Sequence, residues 1–224
     1  MIIMLRVKNF FFTAGLIASL TLSCAAQPKT VDLPKPVTSG GRPIMDAFSN
    51  RHAERDFLLQ KDIPRQIVSN LLWATWGVNR ADGKRTAPTA MDRRNIDVYV
   101  AKEDGLWRYD AVNNKLVLVK KGDARRGKFK EAPMLFYYAA VPDNFAYSHA
   151  GSLYQNAGLY CASVGLGNVV VGAKPTMDEI NRDYDLGGGV KVLVAQAFGW
   201  PKSSQKVDPA TLPINPGRRS PDAY

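Results

Sequence analysis

The chain is poor in the residues on which much enzyme chemistry is built. Its only cysteines are Cys24 and Cys161. Two cannot staple a disulfide scaffold or complete a four-cysteine zinc site. Its only histidines are His52 and His149, too few for a histidine-rich metal centre within one chain. No GxSxG elbow, P-loop or HExxH signature occurs. There is no internal repeat, and the longest apolar run is shorter than the roughly 20 residues a membrane-spanning helix needs.

What is present is a globular composition, with 46% of the 224 residues apolar, 22% charged and 10% aromatic. That excludes a disordered chain and a multispanning membrane protein, and the length suits one domain with appendages. Lys and Arg outnumber Asp and Glu by 30 to 20. The excess favours anionic partners such as phosphate, nucleic acid or a membrane surface, without choosing among them. The densest basic run, Arg125-Arg126-Gly127-Lys128-Phe129-Lys130, holds a single aromatic and falls between two predicted strands. It reads as a solvated loop rather than a nucleic-acid or lipid-headgroup patch, so no nucleic-acid partner is expected.

Residues 1–23 carry Arg6 and Lys8 ahead of an apolar run from Phe10 to Leu22, and no acidic residue precedes Asp32. This is the pattern of a secretory signal peptide. Ser23 before Cys24 resembles a bacterial lipobox, with Thr21 where a leucine is usual, and predicts lipidation of Cys24. Ordinary cleavage near Ala26 is the alternative. Either places the mature chain in the cell envelope, periplasmic or on the outer surface. Residues 24–42, rich in Pro, Thr, Ser and Gly, read as a flexible tether.

From 43 to 200 helix and strand patterns mix, which gives an α+β class: a sheet with helices against it. Asp62 is expected to cap a helix carrying Ile63, Ile67, Leu71, Leu72 and Trp76, with Gly77 ending it. Ile96 to Val100 reads as a strand. Leu106–Tyr109 and Lys115–Val119 form a hairpin around Asn113-Asn114. Pro133–Val141, nearly all apolar, reads as a strand buried on both faces. Leu153, Asn156, Ala157, Tyr160, Cys161 and Val164 share a helix face closed by Gly165-Leu166-Gly167, so Cys161 is expected to be a packed thiol. A strand over Asn168–Val171, a capping box at Thr176 to Glu179 and a strand over Val190–Phe198 complete the domain. Gly187-Gly188-Gly189 reads as a plain turn. Residues 201–224 hold five prolines and read as an extended arm.

Two polar stretches stand apart. Arg51, His52 and Arg55 place three cationic or potentially cationic groups within five residues, which suits a phosphate; a solvated helix face is the alternative. Arg85-Thr86-Ala87-Pro88-Thr89-Ala90-Met91-Asp92-Arg93-Arg94 is a turn carrying small polar residues just before the Ile96 strand. His149 reads as a surface histidine, with a site-lining role as the alternative.

Taken in this order, these stretches bring a resemblance to the nitroreductase family of FMN-dependent oxidoreductases, nearest the branch with the azoline-oxidising dehydrogenases of peptide natural-product pathways. It covers roughly Ala47 to Pro201. Arg51 to Phe57 resembles the family's opening Arg-Arg-Ser-x-Arg-x-Phe, and Leu71 to Gly77 the helix that follows. Arg85 to Val100 is similar to Arg-Thr-Ala-Pro-Ser-Ala-x-Asn-x-Gln leading into a strand. Gln155-Asn156 through Gly167 resembles the late helix and its glycine end.

The resemblance implies a mostly antiparallel sheet flanked by helices, in a homodimer whose termini embrace the partner, with FMN at the subunit interface. It gives the FMN phosphate and the flavin pyrimidine edge to Arg51, His52, Ala53 and Arg55. It lays Thr89, Ala90 and Asp92 against the isoalloxazine ring, and Gly165, Leu166 and Gly167 beside its reactive nitrogen. Arg218 and Arg219 in the arm could complete the phosphate site. No catalytic side chain and no metal are implied, because the flavin carries a hydride to a small acceptor such as a nitroaromatic or quinone. Relatives use NAD(P)H, which an exported protein would not meet, so either the donor differs or the chain is not exported. Two departures, Ala53 for Ser and Asp92 for Asn, favour the rival reading of a non-catalytic ligand-binding or scaffold lipoprotein. The Asp92 charge would oppose a reduced flavin unless Arg94 pairs with it.

Overall fold

The computed structural model describes residues 29–202. The signal segment, Cys24 and the arm beyond Lys202, including Arg218 and Arg219, lie outside the described residues. The elements in chain order are β1 (Thr30–Asp32), α1 (Ile44–Asn50), α2 (Arg65–Trp76), β2 (Asp97–Lys102), β3 (Gly105–Asp110), β4 (Lys115–Lys121), β5 (Met134–Ala140), α3 (Ala146–Val164), β6 (Gly167–Val171), α4 (Lys174–Asp183) and β7 (Lys191–Gly199). The seven strands form one sheet in the order β1-β4-β3-β2-β5-β7-β6, antiparallel throughout.

β5 explains the layering. Every residue of Met134–Ala140 is buried, as its unbroken apolar run predicts. With a two-residue period, Met134, Phe136 and Tyr138 point to one face, where Ile67, Leu71 and Leu72 of α2 and Leu153, Ala157 and Cys161 of α3 meet them. Leu135, Tyr137 and Ala139 point to the other, toward Met177 and Ile180 of α4. Each of these large side chains contributes about 1.5–3 kcal/mol on leaving water. Cys161 is fully buried, and burial pushes its thiol well above the ordinary range.

Three expectations change at element ends. α2 starts at Arg65, not beside Asp62, because a residue preceding proline is driven to extended backbone, and Pro64 excludes Ile63 from the helix. α4 starts at Lys174 with Pro175 in its first turn, where the missing N–H costs nothing. Thr176 is therefore inside the helix, and Glu179 accepts the Gly127 N–H at 3.2 Å instead of closing a capping box.

The third concerns the segment expected to be a flexible tether. Within it, Thr30–Asp32 adds an edge strand to β4, and the prolines that follow lie across α2 and the β3–β4 turn. Ser69 Oγ donates to Pro34 O, Gln66 Nε2 to Lys35 O at 2.9 Å, Asn114 Nδ2 to Pro34 O at 2.9 Å, and Val37 N–H to Asn70 Oδ1 at 2.8 Å. A proline-rich segment lacks N–H groups but keeps its carbonyls, and side chains of α2 and of the turn satisfy those.

Candidate functional site

Residues 54–58 cross the ends of β6 and β7. The Glu54 N–H donates to Asn168 O at 2.8 Å, the Leu58 N–H to Trp200 O at 2.8 Å, and Lys202 N–H to Asp56 O at 2.9 Å. Two glycines permit that approach. A Cβ on Gly167 would stand 2.7 Å from Glu54 Cγ, and one on Gly199 2.9 Å from the Phe57 ring. Glu54 turns its carboxylate back on its own strand, accepting the Arg55 and Asp56 N–H groups at 2.8 Å each.

The segment thereby meets the end of α3, where Gly165 takes the left-handed conformation at φ 72° and stops the helix. A small cleft forms between Asn50, His52 and Glu54 on one side and Ala162, Gly165, Leu166, Gly167 and Asn168 on the other. Arg51 runs along Gly158 of α3, and its guanidinium and that of Arg55 are in no ion pair among the described residues. His52 Nε2 lies 3.9 Å from Glu54 Oε2. Behind the cleft a buried chain of hydrogen bonds holds Asn168. The Tyr138 hydroxyl donates to Gln196 Oε1 at 2.6 Å, and Gln196 Nε2 donates to Asn168 Oδ1 at 2.8 Å.

The turn carrying Thr89, Ala90 and Asp92 sits elsewhere, against the first turns of α3. The Ala90 N–H donates to His149 Nε2 at 2.8 Å, and His149 Nδ1 pairs with Asn95 Oδ1 at 2.8 Å. His149 is only 4% exposed, which corrects the expectation of a surface histidine. Sequence offered no signal for this, since its partners lie more than fifty residues away.

Met91, Asp92 and Arg94 all have positive φ, at 54°, 51° and 47°. For side chains other than glycine each such position costs about 1–2 kcal/mol, least for aspartate. Asp92 and Arg94 form a two-point ion pair, with Nε to Oδ1 at 2.8 Å and Nη2 on Oδ2. That hydrogen bonding holds the Asp92 carboxyl below its usual range and raises the Arg94 guanidinium. From Gly165 back to His149 the helix rises about 24 Å at 1.5 Å per residue. One chain thus joins residues 51–55 with 165–167, and sets 89–92 at the other end of α3.

The family model for the nitroreductase family matches residues 48–200. A Ralstonia eutropha JMP134 protein assigned as a nitroreductase is 32% identical, over 80% of this chain and 95% of that chain, with a TM-score of 0.72. The chain belongs to the nitroreductase family. Its antiparallel sheet and flanking helices are the fold of that family. Two further solved structures share the fold: one from Anabaena variabilis ATCC 29413 at 14% identity, over 78% of this chain and 42% of that chain, TM-score 0.63, and the E. coli microcin synthetase McbBCD complex at 17%, over 86% and 84%, TM-score 0.54. No curated protein matches the chain.

Nitroreductase-family proteins are flavin oxidoreductases in kind, and Arg51 and Arg55, which adjoin the cleft lining in sequence, suit the phosphate of such a group. Two guanidiniums with no carboxylate partner are the donor set a phosphate monoester requires. At the glycine end of α3, Gly165 carries no Cβ beside the cleft, while the space at Gly167 is taken by Glu54. Ala53, at the place of the family's serine, offers only its backbone, and its carbonyl accepts from Arg55 Nη1 at 3.4 Å. Trp76 is packed in the core, and Trp73 Nε1 donates to Val78 O at 3.1 Å. Arg125 and Arg126 of the basic loop are paired with Asp123 and Asp183.

Proposed function

We propose that this nitroreductase-family chain is an exported, FMN-dependent oxidoreductase that works as a homodimer. The observation that carries the reading is the cleft that brings Asn50, His52 and Glu54 against Gly165–Gly167, with Arg51 and Arg55, in no ion pair among the described residues, adjoining its lining in sequence. Arg51 and Arg55 would hold the phosphate of FMN, with His52 and the Ala53 backbone toward the ring edge. Gly165, Leu166 and Gly167 would lie along the ring. Bound FMN would supply two-electron chemistry, moving a hydride equivalent from a donor to a small acceptor such as a nitroaromatic or quinone.

The separation of Thr89, Ala90 and Asp92 from that cleft supports a dimer in which each site takes its cradle from one chain and its turn from the other. Exposed Ile44, Met45 and Phe48 on α1 offer apolar surface for the contact. The Arg94 pairing supports retained redox function over the scaffold reading, since it neutralises the charge that Asp92 would otherwise turn on a reduced flavin. Export and lipidation of Cys24 would place the enzyme at the cell envelope, anchored to the membrane, with a donor found there.

The test is the visible absorbance of the purified mature protein, with and without added FMN. Flavin bands at one FMN per chain are expected. A colourless protein that ignores added FMN would overturn the reading.

A further inference from the structure

The turn between Ala90 and Asn95 holds three left-handed non-glycine residues within four positions, and strain of this kind persists only where surrounding structure over-determines it. His149 grips both ends of the turn. Its Nε2 accepts from the Ala90 N–H, so the ring proton lies on Nδ1 and is donated to Asn95 Oδ1, each at 2.8 Å. One tautomer serves both bonds, and no other uncharged side chain carries an acceptor and a donor in that ring geometry.

The histidine is itself braced. The Phe145 ring stacks on it at 6.0 Å and 13°. The Arg93 guanidinium lies 4.9 Å from the other partner in that stack, Phe145, and bonds Asp143 at 2.8 Å. Asp143 in turn accepts the Phe145 and Ala146 N–H groups at the start of α3. Histidine, aromatic ring and ion pair all belong to, or bind, the first turns of one helix.

We propose that His149 is a positioning residue for the candidate site: it fixes the strained turn so that Thr89, Ala90 and Asp92 are presented in one conformation. The proposal deepens the flavin reading, but only its ligand measurement rests on that reading. Removing the acceptor leaves the Ala90 N–H without its partner and lets the left-handed residues relax. Because α3 also ends in the glycine cleft, the same rigid helix would set the spacing between the turn that a chain lends to one site of the dimer and the cradle it keeps for the other.

The test compares His149→Leu, which removes both bonds, with His149→Gln, whose amide oxygen can stand where Nε2 does. Amide hydrogen exchange across 89–95 is followed in the FMN-free full chain, with β5 and β7 as internal controls. In His149→Leu the turn amides should exchange about tenfold faster, because the Ala90 N–H loses its part-buried acceptor, while the controls hold. His149→Gln should restore most of the protection. FMN affinity should fall in the leucine variant and recover in the glutamine variant.

Unchanged exchange in His149→Leu would overturn the proposal, as would equal loss in both variants, which would mark a packing role alone. If the leucine variant does not fold, Asn95→Ala replaces it: faster turn exchange supports the assignment, and unchanged exchange refutes it. Loss of FMN binding by the parent chain would defeat the flavin reading and leave the exchange result standing.

Discussion

Gln196 lies at the centre of the sheet with no exposed surface, and its amide connects the core to the cleft. It accepts from the Tyr138 hydroxyl at 2.6 Å and donates to Asn168 Oδ1 at 2.8 Å and Tyr154 O at 3.3 Å. In Gln196→Leu the volume is nearly kept, but the hydroxyl of Tyr138 and the amide oxygen of Asn168 lose their partners in a site water does not reach. Each stranded group costs about 1–3 kcal/mol, so the substitution should destabilise the domain by about 3 kcal/mol. At about 3 °C per kcal/mol for a domain of this size, the melting temperature should drop by about 9 °C. Urea unfolding measures the cost directly as a lower midpoint at an unchanged slope.

A double-mutant cycle isolates the cause. Tyr138→Phe in the Gln196→Leu background removes one stranded group together with its lost partner, and should recover about 1 kcal/mol relative to Gln196→Leu alone. A single-variant cost below about 1 kcal/mol, or strict additivity of the two changes, would refute the reasoning. FMN affinity should fall in parallel, because Asn168 lines the cleft and receives the Glu54 N–H.

Gly167→Ala should destabilise by about 1–3 kcal/mol and weaken FMN binding, since the new methyl must displace Glu54 or the Gly199 carbonyl, 3.1 Å away. A denaturation midpoint and an FMN titration check this, and no change in either would count against the cleft's assignment. Acid sensitivity has a definite sign. Arg126 holds the Asp183 carboxyl below its usual range, and the Phe145 N–H does the same for Asp143. Stability from these groups is fully present above about pH 4, the unfolded carboxylate value, and is lost as pH falls through the lower folded values. Asp183→Asn should therefore flatten the fall of the urea midpoint below about pH 4; an identical acid limb in parent and variant would contradict it.

Features with a local cause were legible in the sequence. β5 announced itself by an apolar run with no polar interruption, the β3–β4 hairpin by Asn113-Asn114, of which Asn114 takes φ 48°, and the end of α3 by Gly165. Features set by distant partners were not. The Pro-rich segment ahead of α1 has a loop composition, yet side chains of α2 and Asn114 satisfy its carbonyls across 31 to 80 residues of sequence. His149 looked like a polar residue in a polar stretch, and only the fold brings Ala90 and Asn95 to its two nitrogens. The three groups of site residues read as one set along the sequence; the length of α3 separates them into two.

The position of β7 bears on how the chain assembles. The last strand among the described residues lies inside the sheet, paired on one side with β5 and on the other with β6. Until residues 191–199 have emerged, the apolar edge of β5 and the inner edge of β6 stand open, and the helix between them has only half a floor to pack on. The β2–β3–β4 meander needs only neighbouring residues and can close early. Completion of the sheet waits for residues 191–199, the strand that pairs with both β5 and β6. Over that interval an unpaired edge as apolar as β5 invites pairing with other chains, so productive folding depends on keeping the unfinished sheet apart from its neighbours.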